Sequence, residues 1–501
     1  MHLARFRRAD LARSAGFQMT RRTAIRRGVL ALGALSLPAA LPSIALRAEV
    51  GPLMVALSRY MAEAKGRQIP PEILEAAKQH VLDTLAAMIS GAELPPGVAA
   101  LKFARTQPGR PIATVAASNL VISPMDAALI NGILAHSDET DDSHSDSQSH
   151  PGAAVVPAAL AAGEALGVDG MHFLRAVTLG YDVGPRVTMA LGGVTFRNES
   201  RRSTHAIAGT FGAAAAAGCT ASLNDLQMRS LLDYASQQAS GYAVWGRDTD
   251  HIEKGFVFGG MPARNGVTAA LLVHSGFTGV DDVFSGADNY FQVNAPNSKP
   301  ETLVDGLGSR YEVIRTDIKK WTVGSPIQGP LDSIANLRLK RPFEADEVQR
   351  VVVRLAPTVG AVVDNRDIPD ISLQHMVAVM LVDKTASFAA AHDKPRMNDP
   401  VVRRQRAKVE YVPDPDLARL LPVRVAIVEV TLMDGTRLTE RVEAVRGTPR
   451  NPMPREEVVE KARDLIAPVL GAAKGRRLID AVMTLETARD LKGLRPLLQR
   501  A

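Results

Sequence analysis

From Pro71 to Ser275 this chain is a succession of apolar, small-residue stretches with helical periodicity, joined by short polar connections. A sequence so patterned buries its apolar faces by packing helix on helix. The first stretch sets the type. Ile73, Ala77, Val81, Leu85 and Met88 share one face over Pro71–Ile89, behind a proline in the opening turn, where a missing N–H costs nothing. The same reading places helices at Pro124–Ala135, Ala153–Leu166, Met171–Leu191, Ala206–Ala221, Leu226–Ala239 and Ala263–Ser275, so residues 50–290 are expected to be helical. Aromatic residues are only 4% of the chain, which favours packing by Ala, Val and Leu over an aromatic β core. Phe211–Cys219 is the extreme small-residue stretch. Its Cys219, the single cysteine, is expected to be a buried thiol, and one cysteine excludes an internal disulfide and a cysteine-only metal site.

The texture changes after the turn-rich stretch Asn294-Ala295-Pro296-Asn297-Ser298-Lys299-Pro300. Val348–Leu355 and Val423–Leu432 are rich in β-branched residues, and Met433-Asp434-Gly435-Thr436 reads as a hairpin turn, so a mixed α+β region is expected there. From Arg455 the helical pattern returns through Val458, Ala462, Leu465, Ile466 and Val469. At 501 residues the chain exceeds what one hydrophobic core organises, and more than one domain is expected.

The net charge of +6 invites a polyanion-binding reading, which its distribution removes. Residues 1–45 hold eight arginines against one acid, a local +7, leaving −1 for the remainder and no global field for nucleic acid. The basic front precedes an apolar run, Val29–Leu41, shorter than the roughly 20 residues of a membrane span. Arg21-Arg22 after Thr20, with Ile25-Arg26 behind, fits a twin-arginine export signal, and Ser43-Ile44-Ala45 offers the small residues a signal peptidase reads. Residues 1–45 are therefore expected to be a cleaved signal with an upstream extension before Met19, the mature protein periplasmic and without a stable membrane anchor.

The densest polar cluster runs from His136 to His150, three histidines of the chain's 11 among serines and carboxylates. Three readings are open from its residues alone: a solvated helix-capping loop, a divalent-metal site, or a metal-free acid/base site.

Asn131-Gly132-Ile133-Leu134-Ala135-His136, Glu139-Thr140-Asp141-Asp142-Ser143 and His150-Pro151-Gly152-Ala153-Ala154 resemble, in order and approximate spacing, motifs of the MmgE/PrpD family. These are its Asn-Gly-x-x-x-His start, Asp-aromatic-Asp-Asp-Thr run and His-Pro helix start; the family includes 2-methylcitrate dehydratases, cis-aconitate decarboxylases and an iminodisuccinate epimerase. The similarity continues through Ala176–Val183, His205–Gly212, Lys254, Arg264–Ala270, Ile318-Lys319, Asp370–His375 and Asn451–Val458. It implies a mainly α fold with an inserted α+β lid domain: a helical domain over 50–314, the lid over 315–452, and C-terminal helices over 453–501 that rejoin the helical domain. It also implies a cleft between the two, a homodimer formed through the helical domain, and neither cofactor nor metal.

The resemblance assigns catalysis to His150, His205, Lys254 and Lys319, and substrate contact to Glu139, Asp142, Ser143 and Arg264. These types suit proton abstraction beside a carboxylate. The resulting enediolate is stabilised by preorganised cations, and a histidine or lysine tuned towards neutrality takes the proton. A cleft lysine such as Lys319 is expected to matter little to folding. The implied activity is that of a lyase on a small di- or tricarboxylic acid, with carbon–oxygen hydro-lyase chemistry leading. The alternatives are an epimerase of the same fold, a non-catalytic carboxylate-binding protein, and a metal-dependent hydrolase.

Departures from the family pattern fall on the substrate-facing wall. Glu139 is one methylene longer than the family aspartate, Thr140 replaces an aromatic, and Val257 stands where a histidine is frequent. The motif Lys319–Pro326 lacks the usual proline and cysteine, and Gln328 stands near another frequent histidine.

Overall fold

The computed structural model describes residues 50–107 and 109–500; the expected export signal lies outside them. Among the helices that carry the first hydrophobic core are α1 (Pro71–Gly91), α2 (Pro124–Ala135), α3 (Pro151–Leu166), α4 (Gly170–Leu191), α5 (Thr204–Thr220) and α6 (Met261–His274). Every residue of α5 is buried, and it packs against α3, α4 and α6. Its alanines and glycines permit this. A Cβ at Gly180 of α4 would lie 2.8 Å from the Gly212 carbonyl oxygen, and one at Gly212 equally close to that of Gly180, so these helices touch backbone to backbone. Cys219 sits in this core, 1% exposed, and burial pushes its thiol up to about 12.

The helical expectation has one exception, a short hairpin pairing Ala113–Thr114 with Val121–Ile122. Asn131 of α2 ties it down, accepting from Ala116 N at 3.0 Å and donating to Thr114 O at 2.8 Å. The break in texture after Pro300 is not a change of core. Leu303, Tyr311, Val313 and Ile318 remain in the helical core, and the second core begins at Trp321.

That second core is built on a four-stranded sheet. Helix α7 (Ser325–Lys340) and strand β1 (Val348–Leu355) come first, then α8 (Leu373–Asp383), β2 (Val409–Pro413), β3 (Ala426–Leu432) and β4 (Arg437–Val442). The order is β2-β1-β3-β4, parallel between β1 and β2 and antiparallel elsewhere. Ala426, Val428, Val430 and Leu432 turn one face of β3 into this core, as a period of two requires. The hairpin turn between β3 and β4 lies where the sequence puts it. Strand β3 begins three residues later than the apolar run that starts at Val423, which leaves Arg424 in a loop.

Helices α9 (Arg455–Leu470) and α10 (Ala472–Met483) then return to the first core and pack on α1. Among the described residues one helical run, Ile252–His274, is long and apolar enough to cross a membrane. It is mostly buried against its neighbours, as a core helix is.

Candidate active site

The loop from His136 to His150 joins α2 to α3, and residues 136–144 are all buried, so the solvated-loop reading is wrong for it. A buried loop with four carboxylates survives only if each has partners. Asp138 accepts from Thr140 N at 3.0 Å and meets His392 Nε2 at 2.9 Å. The other ring nitrogen of His392 donates to Phe388 O at 2.8 Å. Burial alone would lower His392, but Asp138 raises it to about 9. Asp142 lies 2.8 Å from His80 Nδ1, accepts from Tyr181 at 2.5 Å, and takes the Gly152 N–H at 3.0 Å. Gly152 is required here, because a Cβ would lie 2.5 Å from Thr84 Oγ1 and 2.7 Å from the Tyr181 hydroxyl. From α9, Lys461 donates to Thr140 O at 2.9 Å and to Asp83 at 2.6 Å, so the C-terminal helices brace the loop from behind.

The remaining two carboxylates organise the chemistry. Asp141 accepts from His136 Nδ1 at 2.9 Å and from His150 Nδ1 at 3.1 Å. Burial would raise its carboxyl, yet the two imidazoles hold it well below the usual range. His150, preceding Pro151 of α3, is lowered by burial and by Lys319 despite the opposing pull of Asp141, so the ring is neutral at neutral pH. With Nδ1–H given to Asp141, its Nε2 carries the lone pair. His205, in the first turn of α5, faces His150 at 5.1 Å between ring centroids and stacks on Phe258 at 3.7 Å. Burial, then the neighbouring His150, hold it well below the ordinary imidazole value.

Two ammonium groups complete the set. Lys254 is ion-paired with Glu139, and its Nζ lies 5.3 Å from the Phe258 ring centroid. Lys319, between the two cores, donates to Glu139 O at 2.8 Å and lies 3.6 Å from Glu139 Oε2 and 3.7 Å from Asp141 Oδ1. Burial would raise Glu139, but Lys254 and Lys319 hold it well below the usual range. Phe258 owes its position to a π-helical turn, Phe256–Gly260, a widened geometry recurrent at functional sites. His251 (φ 67°) and Gln148 (φ 52°) line the cavity on left-handed backbone, a strain of about 1 kcal/mol or more each. Buried Ser143 Oγ, His205 Nδ1 and His251 Nε2 have no hydrogen-bond partner among the described residues.

Glu139, Ser143, His150, His205 and Lys254 thus line one cavity of about 340 Å³, and Lys319 enters the same cluster through Glu139 and Asp141. Two expected substrate contacts do not reach it. Asp142 is fully buried and spends its oxygens on His80, Tyr181 and the start of α3, because that helix needs an acceptor for its free N–H groups. Arg264 is exposed on α6 and does not line the cavity, because its helical phase turns it to solvent. Lys319 is only 3% exposed and compensates two buried carboxylates, so the expectation that it matters little to folding is also corrected. His144 also lines the cavity, its ring nitrogens engaged by Ser147 at 2.8 Å and Glu312 at 3.3 Å, and Gln328 caps the Trp321 and Val323 backbone. Sequence reasoning passed over Asp141, His136, Trp245, His251 and Arg424. The first two stand inside the quoted motifs, whereas the others carry no local signal.

Two groups of donors have spacing that suits a cation, His136–Asp141–His150 and His136–Glu139–His251. Their carboxylates already neutralise Lys254 and Lys319. A divalent ion about 5 Å from one ammonium meets roughly 7 kcal/mol of repulsion at an effective dielectric of 20. The charge set therefore suits lysines as the resident cations.

Comparisons with known proteins cover most of the described chain. The model of the MmgE/PrpD N-terminal domain matches residues 55–303, and that of the MmgE/PrpD C-terminal domain matches residues 321–487. A cis-aconitate decarboxylase of Aspergillus terreus is 27% identical over 463 residues, covering 86% of this chain and 92% of the relative. The human cis-aconitate decarboxylase is 27% identical over 450 residues, covering 85% and 90%. The cis-aconitate decarboxylase-like protein oryM of Aspergillus oryzae is 25% identical over 482 residues, covering 89% and 96%.

Proposed function

The chain belongs to the MmgE/PrpD family, and from that premise we propose that it is a cofactor-independent lyase acting on a small di- or tricarboxylic acid. One observation carries the reading: a neutral His150, braced by Asp141, shares a buried cluster with the Lys254 and Lys319 ammoniums. His150 Nε2 takes the proton from the carbon beside a substrate carboxylate, and the C–H electron pair moves into that carboxylate as an enediolate. Lys319, Lys254 and the unpartnered Ser143 hydroxyl stabilise the charge that develops. The dianion then collapses as its neighbouring carbon releases hydroxide. In a decarboxylation, the C–C electron pair enters the same stabilised system as carbon dioxide leaves, and a proton returns to carbon.

The relatives' names support decarboxylation as the first reaction to assay. Purified protein is incubated with a panel of small polycarboxylates, and loss of water or carbon dioxide is read by mass. Substrate C–H exchange with solvent deuterium is followed alongside. Turnover or exchange supports the reading; tight binding with neither identifies a non-catalytic binding protein.

We also propose export to the periplasm through the twin-arginine route, on the strength of Arg21-Arg22 and the short apolar run. Replacing both arginines by lysine should leave folded protein in the cytoplasm, and undiminished export would refute the assignment. A homodimer through the helical layer is supported by exposed Val98, Phe103, Ile252 and Phe256 on adjoining helices. Sedimentation of the purified protein tests it, a monomer at micromolar concentration being the contrary result.

A further inference from the structure

The arginines of the cleft, Arg197, Arg366 and Arg424, are left unused by this chemistry. Arg197, on the Gly193–Ser200 helix, and Arg424, in the loop before β3, line the same cavity as His150, His205 and Lys254. Arg197 belongs to the helical part, whereas Arg424 comes from the part built on the sheet.

Their surroundings place both beside the reacting groups. Arg197 donates to Gln148 Oε1 at 2.6 Å, and its guanidinium carbon lies 5.9 Å from the centroid of the Trp245 ring. The same ring has Lys254 Nζ at 5.7 Å and meets His205 edge-on at 5.5 Å, so Arg197, His205 and Lys254 surround one indole. Arg424 lines both this cavity and an adjoining one of about 320 Å³ that Lys319 also lines. Among the described residues it has no hydrogen-bond or ion-pair partner, and the charges that act on it are those of Asp317 and Glu139. Burial lowers both guanidiniums, and Arg197 is lowered further by Arg424. A guanidinium stays charged in a protein, so two half-buried guanidiniums lining one cavity are matched by a shared anion.

We infer that Arg197 and Arg424 together hold a second carboxylate of the substrate, remote from the reacting carbon. The site then selects acids with at least two carboxylates, and their binding ties the lid to the helical layer. This rests on the lyase reading above and adds to it the groups that set specificity. A guanidinium fork matches a carboxylate through two parallel N–H···O bonds, which a lysine at either position cannot supply.

The test is calorimetric, with unreactive probes: tricarballylate, which has three carboxylates, and butyrate, which has one. Wild-type protein should bind tricarballylate the more tightly. Arg424→Gln and Arg197→Gln should each raise its Kd on the order of 10- to 100-fold, the loss of a hydrogen bond to a charged group, while butyrate binding stays unchanged. Arg424→Lys should fall between. Arg403→Gln, an exposed arginine outside both cavities, should match wild type. Unfolding midpoints identify any variant that fails to fold, and the other arginine position then carries the test. An unchanged ratio of tricarballylate to butyrate affinity in folded Arg424→Gln and Arg197→Gln overturns the clamp and leaves the lyase reading standing. Wild-type protein that binds neither probe while turning over a polycarboxylate also overturns the clamp alone. No binding together with no turnover overturns both.

Discussion

Replacing Lys319 by alanine removes an ammonium that serves chemistry and folding together, and the structure lets the two losses be separated. Its Nζ sits 3.6 Å from Glu139 Oε2 and 3.7 Å from Asp141 Oδ1, and it donates to Glu139 O at 2.8 Å. At an effective dielectric of 20, each of those charge contacts is worth about 4–5 kcal/mol before desolvation. Burying the ammonium consumes much of that gain, but deleting one partner strands the carboxylates, which costs about 3–5 kcal/mol. Against a typical net stability of about 5–15 kcal/mol, Lys319→Ala should lower the urea midpoint clearly. Deuterium exchange into substrate, measured per folded molecule, should fall about 10²–10⁴-fold. Lys319→Arg keeps the positive charge and should recover most of the lost stability. Lys320 is the control, half-buried with its Nζ 4.8 Å from the Trp321 ring, and Lys320→Ala should change exchange little. Equal losses at both lysines would place the wrong residue in the site, and exchange unaffected by Lys319→Ala would refute its role.

Asp141→Asn keeps the shape but offers a single carbonyl to two imidazole N–H groups, so one histidine must change tautomer. Exchange should fall about 10²–10⁴-fold, and any residual acid limb should move to lower pH, because Asp141 raises the His150 imidazole; an unmoved limb would mean His150 is not the base. His392→Gln tests the brace on Asp138. Its folded value of about 9 lies above the usual 6.5, so its stabilisation is full below about pH 6.5 and lost as pH rises through about 9. The substitution should therefore cost roughly 2–3 kcal/mol at pH 6 and little at pH 10, and urea titrations showing equal cost at both would refute the assignment. Arg264→Ala should leave KM and kcat near wild type, while Asp142→Asn should lower the melting temperature more than it alters KM; a large KM effect at Arg264 would restore it to the site.

What the sequence alone determines here is whatever repeats along a single element. Apolar periodicity located the helices from Pro71 onwards, because one face of a helix is written every three to four residues. The β-branched runs and the Asp434-Gly435 turn likewise located β1, β3 and β4. Helices α7 and α8 escaped that reading. The His136–His150 loop announced titratable chemistry by its composition and its motif order. Whether those groups met water, a metal or one another was decided by partners more than a hundred residues away: Lys254 and Lys319 on Glu139, His392 on Asp138, and Lys461 behind Thr140. Asp142 and Arg264 show the limit from the other side, since a motif names a position without saying which way its side chain turns. Burial and pairing, that of Glu139 with residues far along the chain, set the charge states of Glu139, Asp141, His150 and His205, and these are properties of the folded packing.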